Sequence, residues 1–132
     1  LAHDCMPSPI HAGCLRYPGR APTLCARYDA GLIQAVAVRQ IGVFEAAVQF
    51  ARTEGILPAP ESSHAIRAAI DEALDAKARG EKRVILFNLS GHGHFDLSSY
   101  HAYHSGKLVD YDFPEEAIAS IQQRLPKVNL PA

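Results

Sequence analysis

The chain of 132 residues alternates helical and extended patterns of apolar residues from residue 24 onward. Apolar positions three and four residues apart indicate an amphipathic helix, whereas short runs rich in Val and Ile indicate a strand. The sequence predicts helices over residues 24–30, 42–54, 60–80 and 114–125, and strands over residues 33–38 and 84–89. The first three helices are expected to end at glycines, namely Gly31, Gly55 and Gly80.

The strand over residues 84–89 is expected to be the centre of the fold. Its run of Val, Ile, Leu and Phe is typical of a strand that is buried on both faces. The run stops at Ser90 and Gly91, and open α/β sheets place their ligands at the carboxyl ends of such strands. The pattern therefore predicts an α/β fold in which Ser90 and nearby backbone N–H groups face a small ligand.

Length and composition indicate one domain over residues 1–132, with an irregular loop region over residues 1–26. The chain begins with Leu1 rather than Met, which we interpret as a beginning taken from a longer sequence. The net charge of −1 disfavours nucleic acid and membrane surfaces as partners, and no apolar run approaches the roughly 18 residues of a membrane span. The cysteines form no Cys-x-x-Cys pair, so reduced thiols and a cytoplasmic location are expected for Cys5, Cys14 and Cys25.

A cluster of histidines after the central strand raises the alternative of a metal-dependent hydrolase. His92, His94 and Asp96 form a His-x-His-x-Asp run, and two more histidines follow at positions 101 and 104. Imidazoles at alternate positions can reach one metal ion, and the run resembles the zinc ligands of metallo-β-lactamase-like hydrolases. That family continues with His directly after the Asp, where this chain has Leu97. We favour the interpretation that these are solvent-facing loop histidines.

Two shorter motifs near Ser90 do not support a function. Gly91 and Gly93 form half of a dinucleotide fingerprint, but its third glycine would fall at Asp96, and no helix is expected to begin there. Ser90 does not lie in a Gly-x-Ser-x-Gly elbow, so the sequence does not support a hydrolase nucleophile.

Two longer motifs resemble one enzyme family. The motifs are RTEGILPAPESSHA at residues 52–65 and NLSGHG at residues 88–93. In order and spacing they are similar to the C-terminal part of the tryptophan synthase beta chain, most closely to the second, longer branch of that family. The run IHAGCLRY at residues 10–17 resembles the family's Ala-Gly-containing loop. The resemblance implies a fragment of the fold-type II pyridoxal-phosphate fold, a three-layer α/β/α arrangement, from a lyase that makes L-tryptophan from L-serine and indole.

The resemblance also implies roles for individual residues. Ser90 would form a hydrogen bond with the pyridine nitrogen of pyridoxal 5′-phosphate, and Glu54 would lie beside the ring. A hydroxyl is too weak an acid to keep that nitrogen protonated, so the cofactor would be a weaker electron sink than one with a protonated ring. Three glycines would let the backbone approach the cofactor without a Cβ in the way, namely Gly13, Gly55 and Gly91. The carbonyls of residues 17–19 resemble the region where the family binds a monovalent cation.

The sequence departs from the family's pattern where the cofactor is anchored. The family's Schiff-base lysine follows a His, and the lysines here all have other neighbours, namely Lys77, Lys82, Lys107 and Lys127. The glycine-rich phosphate loop and the carboxylate that assists proton transfer to indole are also missing. We therefore expect the chain to be inactive alone. The alternative is a non-catalytic remnant or binding module, and a homo-oligomer is expected because an opened α/β sheet exposes a strand edge and apolar surface.

Overall fold

The computed structural model describes residues 7–17, 19–112, 116, 119, 120 and 123. Between residues 7 and 112, a 3₁₀ turn over Gly13–Arg16 precedes the helices α1 (Pro22–Asp29), α2 (Gln40–Glu54), α3 (Pro60–Arg79) and α4 (Leu97–His104). Within these residues no strand forms, and the β pairing consists of an isolated antiparallel bridge between Pro58 and His92. In the same part of the chain, no helix is both long and apolar enough to cross a membrane.

Helices α2 and α3 form where the apolar spacing predicts them. Gly55 (φ 71°) and Gly80 (φ 67°) follow the last residues of the two helices in the left-handed conformation, which glycine adopts without steric cost. Pro60 begins α3, where its missing N–H has no helical partner to lose. The predicted bounds of 42–54 and 60–80 are therefore confirmed to within two residues.

The core lies where α2 meets α4 and the long helix α3. Helix α2 packs most extensively along α3. On its other side, the ring of Phe44 meets Tyr100 edge-on with the centroids 5.1 Å apart, and it stacks on Tyr103 at 5.9 Å. Ala47 and Leu108 complete this buried cluster. The aromatic contacts therefore hold α4 against α2.

The connection between α2 and α3 pairs with the residues that precede α4, and we call residues 57–59 together with 91–93 the bridge. The Gly93 N–H donates to the Leu57 carbonyl at 2.8 Å, and the Ala59 N–H donates to the Gly91 carbonyl at 3.0 Å. Between them, the Tyr100 hydroxyl donates to the Pro58 carbonyl at 2.6 Å. The bridge thus ties the start of α3 to the start of α4 without a sheet.

The central strand expected over residues 84–89 does not form, and the described residues show no three-layer α/β/α arrangement. Val84 and Leu86 are 102% and 94% exposed, whereas Ile85 and Phe87 are half-buried. No backbone hydrogen bond joins these residues to another described segment. A doubly buried strand needs neighbours on both edges and both faces. The described chain covers one face only, so the strand prediction is wrong for this chain by itself.

Residues 19–39, which lead into α2, include no buried residue. Helix α1 confirms the prediction for residues 24–30 with a start two residues earlier, and Gly31 (φ 69°) follows its end. It has no buried residue and packs on no other described helix. The strand expected over residues 33–38 is wrong, because those residues are mostly exposed and pair with no other described segment. The helix expected over residues 114–125 lies mostly outside the described residues.

Helix α4 is an element that the apolar pattern does not predict, and the expectation that no helix begins at Asp96 is wrong. Asp96 is the N-cap residue, and its carbonyl accepts hydrogen bonds from the N–H groups of Ser99 and Tyr100 at 2.9 and 3.2 Å. The helix has only eight residues, including two serines and two histidines. Such a short and polar segment carries a weak apolar periodicity, and its packing depends on the contacts of two tyrosines with α2.

Candidate functional site

Ser90 lies next to the first turn of α3. Its hydroxyl oxygen is 2.8 Å from Oγ of Ser62, and its backbone N–H donates to the same Ser62 Oγ at 3.1 Å. Ser62 is only 2% exposed, whereas Ser90 is an exposed residue. The exposed Ser90 is therefore positioned by hydrogen bonds with the buried hydroxyl of Ser62.

Gly91 and Gly93 are the points of close backbone approach in the bridge. A Cβ at Gly91 would lie 3.2 Å from the Cβ of Ala59. A Cβ at Gly93 would lie 2.5 Å from the Pro58 carbonyl oxygen and 2.9 Å from the Tyr100 ring. Packing inside the chain therefore requires glycine at position 93 more strictly than at position 91, which is the position that the resemblance assigns to the cofactor.

Glu54 and Gly55 lie at the end of α2. The side chain of Glu54 is exposed, and it makes no hydrogen bond or ion pair with another residue in the described ranges. The Gly55 N–H donates to the Ala51 carbonyl at 3.1 Å, and its positive φ follows from its place as the residue that caps α2. Helix capping alone thus explains the glycine, and no hydrogen bond connects Glu54 to Ser90.

Gly13 begins the 3₁₀ turn that lies against the first turn of α3. A Cβ at Gly13 would be 3.8 Å from Oε1 of Glu61, an ordinary van der Waals distance. The same oxygen accepts a hydrogen bond from the Cys14 N–H at 3.4 Å. The structure therefore brings Gly13 to the end of α3 that carries Ser62 and contacts Ser90.

Tyr100 supports the bridge from inside the core. Its side chain is 5% exposed, and burial raises the pKa of the Tyr100 hydroxyl to about 12. The nearby Ser63 hydroxyl lowers that pKa, and the carboxylate of Asp96 raises it. The hydroxyl is therefore protonated at neutral pH and remains a donor to the Pro58 carbonyl, which is a structural role rather than an acid–base one.

The Tyr17 and Gly19 carbonyls, which the resemblance assigns to a monovalent cation, face the guanidinium of Arg20. Nη1 of Arg20 donates to the Tyr17 carbonyl at 2.6 Å and to the Gly19 carbonyl at 3.2 Å. A guanidinium thus already occupies the open side of these two oxygens.

The histidine cluster does not assemble a metal centre. The rings of His92 and His94 have centroids 5.0 Å apart, and His92 also contacts Phe95 at 5.4 Å. Among the residues that the structure describes, no three His, Cys, Asp or Glu side chains are placed to hold a metal ion together. The geometry therefore gives the metal-dependent hydrolase no support.

Ser62 is the residue of this site for which the sequence patterns predict no role. It stands 28 positions before Ser90, and neither periodicity nor spacing links the two. The local signal is a serine in the first turn of a helix, where side-chain oxygens commonly accept hydrogen bonds from backbone N–H groups. That signal predicts a contact within α3, whereas the hydroxyl instead binds the chain at Ser90.

The chain is similar to tryptophan synthase beta chains from several organisms. The chain is 67% identical over 110 residues to tryptophan synthase beta chain 2 of Aquifex aeolicus, a match that covers 83% of this chain and 25% of that relative. It is 64% identical over 108 residues to tryptophan synthase beta chain 2 of Methanosarcina mazei, with 82% and 24% covered. The tryptophan synthase beta chain of Pyrococcus horikoshii is 55% identical over 126 residues, with 96% and 27% covered. No protein-family model matches the chain.

These matches confirm the resemblance that the two motifs carry. The chain spans about a quarter of the length of the curated relatives it matches. Two of the three relatives named above are beta chain 2 proteins, in agreement with the second branch. The chain therefore belongs to the tryptophan synthase beta chain family, of which it represents a C-terminal part.

Proposed function

We propose that this chain supplies one side of the pyridoxal 5′-phosphate site of a tryptophan synthase of the beta type. The reaction of the complete enzyme is the conversion of L-serine and indole to L-tryptophan and water. The observation that carries the proposal is the exposed hydroxyl of Ser90, held by the buried Ser62 within the motif that resembles the family. The identity of 67% to a tryptophan synthase beta chain 2 supports the same assignment.

The residues present fit one edge of the cofactor ring. An exposed hydroxyl in a fixed position can donate a hydrogen bond to a pyridine nitrogen, and Gly91 beside it has no side chain to stand in the way. When bound, the cofactor supplies the electron sink for replacing the β-hydroxyl of serine. Ser90 holds its own proton too tightly to transfer it, so it orients the ring and leaves the nitrogen unprotonated.

The other proposed cofactor-facing residues lie on the segments that surround the first turn of α3. Gly13 is at that turn through its neighbour Glu61, and Glu54 and Gly55 end the helix whose connection leads into α3. A monovalent cation on the carbonyls of residues 17 and 19 would first have to displace the Arg20 guanidinium. We propose these contacts from the resemblance together with this placement.

We further propose that these 132 residues are inactive by themselves. No lysine in them follows a His, and Lys77, Lys82 and Lys107 are all exposed. A covalent anchor for the cofactor needs a lysine whose amine is activated within a site. The anchor and the phosphate-binding loop must therefore come from residues outside this sequence.

A segment exchange tests the proposal. The 110 matched residues of the Aquifex aeolicus tryptophan synthase beta chain 2 would be replaced by those of this chain. We expect the exchanged enzyme to bind pyridoxal 5′-phosphate, with its visible absorption, and to form tryptophan from serine and indole. The Ser90→Ala version should fold equally well and lose about 10²-fold or more of kcat/KM, since the donor to the ring is gone.

The unmodified Aquifex aeolicus enzyme serves as the positive control, and the 132-residue chain mixed with the cofactor serves as the negative one. An exchanged enzyme that binds the cofactor but makes no tryptophan would contradict the proposed activity. Equal activity of the Ser90→Ala version would contradict the role of Ser90.

A second candidate function is a non-catalytic module that associates with itself. The observation that favours it is the exposure of Val84 and Leu86 in a segment whose backbone makes no hydrogen bond to another described segment. An apolar segment with unpaired backbone groups can form a strand with another chain. Sedimentation equilibrium of the 132-residue chain distinguishes the candidates, because a monomer would leave the binding-module interpretation without support.

A further inference from the structure

Ser62 is a buried hydroxyl whose two hydrogen-bonding contacts both go to one residue. Its Oγ accepts from the backbone N–H of Ser90 at 3.1 Å and lies 2.8 Å from the Ser90 Oγ. The neighbouring Ser63, which is buried as deeply, instead donates to the Ala59 carbonyl within α3. Ser62 therefore differs from Ser63 in that it binds the chain outside its own helix.

The protons available to the Ser62 and Ser90 hydroxyls determine which of the two is the donor. Ser62 has one hydroxyl proton, and its only described neighbour able to accept that proton is the Ser90 oxygen. If Ser90 donated to Ser62 instead, the Ser62 proton would be left buried without an acceptor, which is costly. With Ser62 as the donor, every group is satisfied, and the Ser90 proton is free to point outward to an acceptor.

We propose that Ser62 is a positioning residue that makes Ser90 a hydrogen-bond donor toward an unprotonated aromatic ring nitrogen. This inference rests on the proposed function, in which Ser90 faces the pyridine ring. It adds the reason why the site accepts a neutral ring and discriminates against a ring that carries a proton or a methyl group on nitrogen. Neither of those rings has a lone pair to accept the Ser90 proton.

Amide hydrogen exchange of the 132-residue chain, measured by NMR, tests the positioning. In Ser62→Ala the Ser90 amide should exchange about tenfold faster or more, because its acceptor is gone. The Gly93 amide, which donates to the Leu57 carbonyl, should keep its protection and so report an intact bridge. Ser63→Ala is the matched control and should leave the Ser90 amide unchanged. Unchanged protection of Ser90 in Ser62→Ala would overturn the inference.

Two small probes test the direction of donation in the exchanged enzyme described above, freed of its cofactor, which contains the phosphate-binding loop that the 132 residues lack. Pyridin-3-ylmethyl phosphate carries a ring nitrogen that is unprotonated at neutral pH, and its N-methyl derivative has the same phosphate without the lone pair. Neither has an aldehyde, so neither reacts with lysines. We expect the first probe to bind at least about tenfold more tightly than the second, measured by titration calorimetry, and Ser62→Ala in the exchanged enzyme to abolish this preference.

The outcomes separate the inference from the proposed function. Equal response to both probes, or a preference that survives in Ser62→Ala, would overturn the inference while leaving a ligand site at Ser90. Binding of neither probe by an exchanged enzyme that binds pyridoxal 5′-phosphate would contradict the proposed ring site, and the amide exchange measurement would then decide the Ser62–Ser90 pairing by itself.

Discussion

Two short stretches of non-helical chain adjoin α3, and they differ in what their apolar residues contact. In the bridge, backbone groups pair across residues 57–59 and 91–93, and the Tyr100 ring closes over them. Residues 84–89 are more apolar than the bridge, yet Val84 and Leu86 are almost fully exposed. An apolar sequence provides the capacity for burial, whereas burial itself requires a partner surface. Substitutions in the two stretches should therefore have very different costs.

The largest effect is expected for Gly93→Ala in the bridge. The new Cβ would lie 2.5 Å from the Pro58 carbonyl oxygen and 2.9 Å from the Tyr100 ring, and neither backbone nor a packed ring can move away cheaply. We expect a loss of about 3 kcal/mol in the free energy of unfolding, measured by urea denaturation.

Gly42→Ala provides the matched control for this substitution. Gly42 lies in α2, and an alanine Cβ there would meet no atom within 4 Å outside its own stretch of helix. Alanine should therefore stabilise the helix by about 0.5–1 kcal/mol. A Gly93→Ala chain as stable as Gly42→Ala would show that the bridge is not packed in solution, and the contrast between the two stretches would fail.

The helices and the strands are not equally predictable, and the bridge shows why. Helices α2 and α3 satisfy their backbone hydrogen bonds locally, so apolar spacing and the terminal glycines Gly55 and Gly80 suffice to place them. A strand takes its partners from elsewhere in the chain. The pattern of residues 84–89 correctly shows an apolar segment, but it cannot show whether the described chain contains the strands that would pair with it.

In the candidate site, too, the sequence reveals what is local and misses contacts between distant positions. Ser90 and Gly91 can be singled out from a motif, because the resemblance depends on residues that are adjacent in sequence. Ser62 belongs to the other motif, but that motif assigns it no role, because its contact with Ser90 joins positions 28 apart. Gly93 stands out in the sequence as half of a dinucleotide fingerprint and as the last residue of the NLSGHG motif, whereas the approach of Pro58 that demands a glycine there is visible only in three dimensions.

An intermediate effect is expected for Tyr100→Phe, which keeps the ring over the bridge and removes its hydroxyl. The buried Pro58 carbonyl would lose its donor, at a cost of about 1–2 kcal/mol near neutral pH. Burial raises the pKa of Tyr100 to about 12 from an ordinary 10.0, so the folded chain holds this proton more tightly than the unfolded chain. The contribution of the hydroxyl is therefore complete below the ordinary pKa and declines as the pH rises through the interval between these two values.

The difference in unfolding free energy between the wild type and Tyr100→Phe should accordingly narrow as the pH rises above about 10. The titration of the other tyrosines contributes equally to both chains and therefore cancels in this difference. A gap that stays constant or widens over that range would mean that the Tyr100 hydroxyl is not buried against Pro58.

The smallest effect is expected for Leu86→Lys, in the stretch that lacks a partner. Leu86 is 94% exposed, so the charge should change the free energy of unfolding by less than about 0.5 kcal/mol. Phe87→Ala is the matched control on the opposite side of the same stretch. Its ring meets Phe50 edge-on at 5.9 Å, and its removal should cost about 1–2 kcal/mol, below the range for a fully buried ring. If Leu86→Lys instead costs as much as Phe87→Ala, Leu86 is covered in solution. A stability that then depends on protein concentration would identify the cover as a second copy of the chain, because association stabilises by mass action.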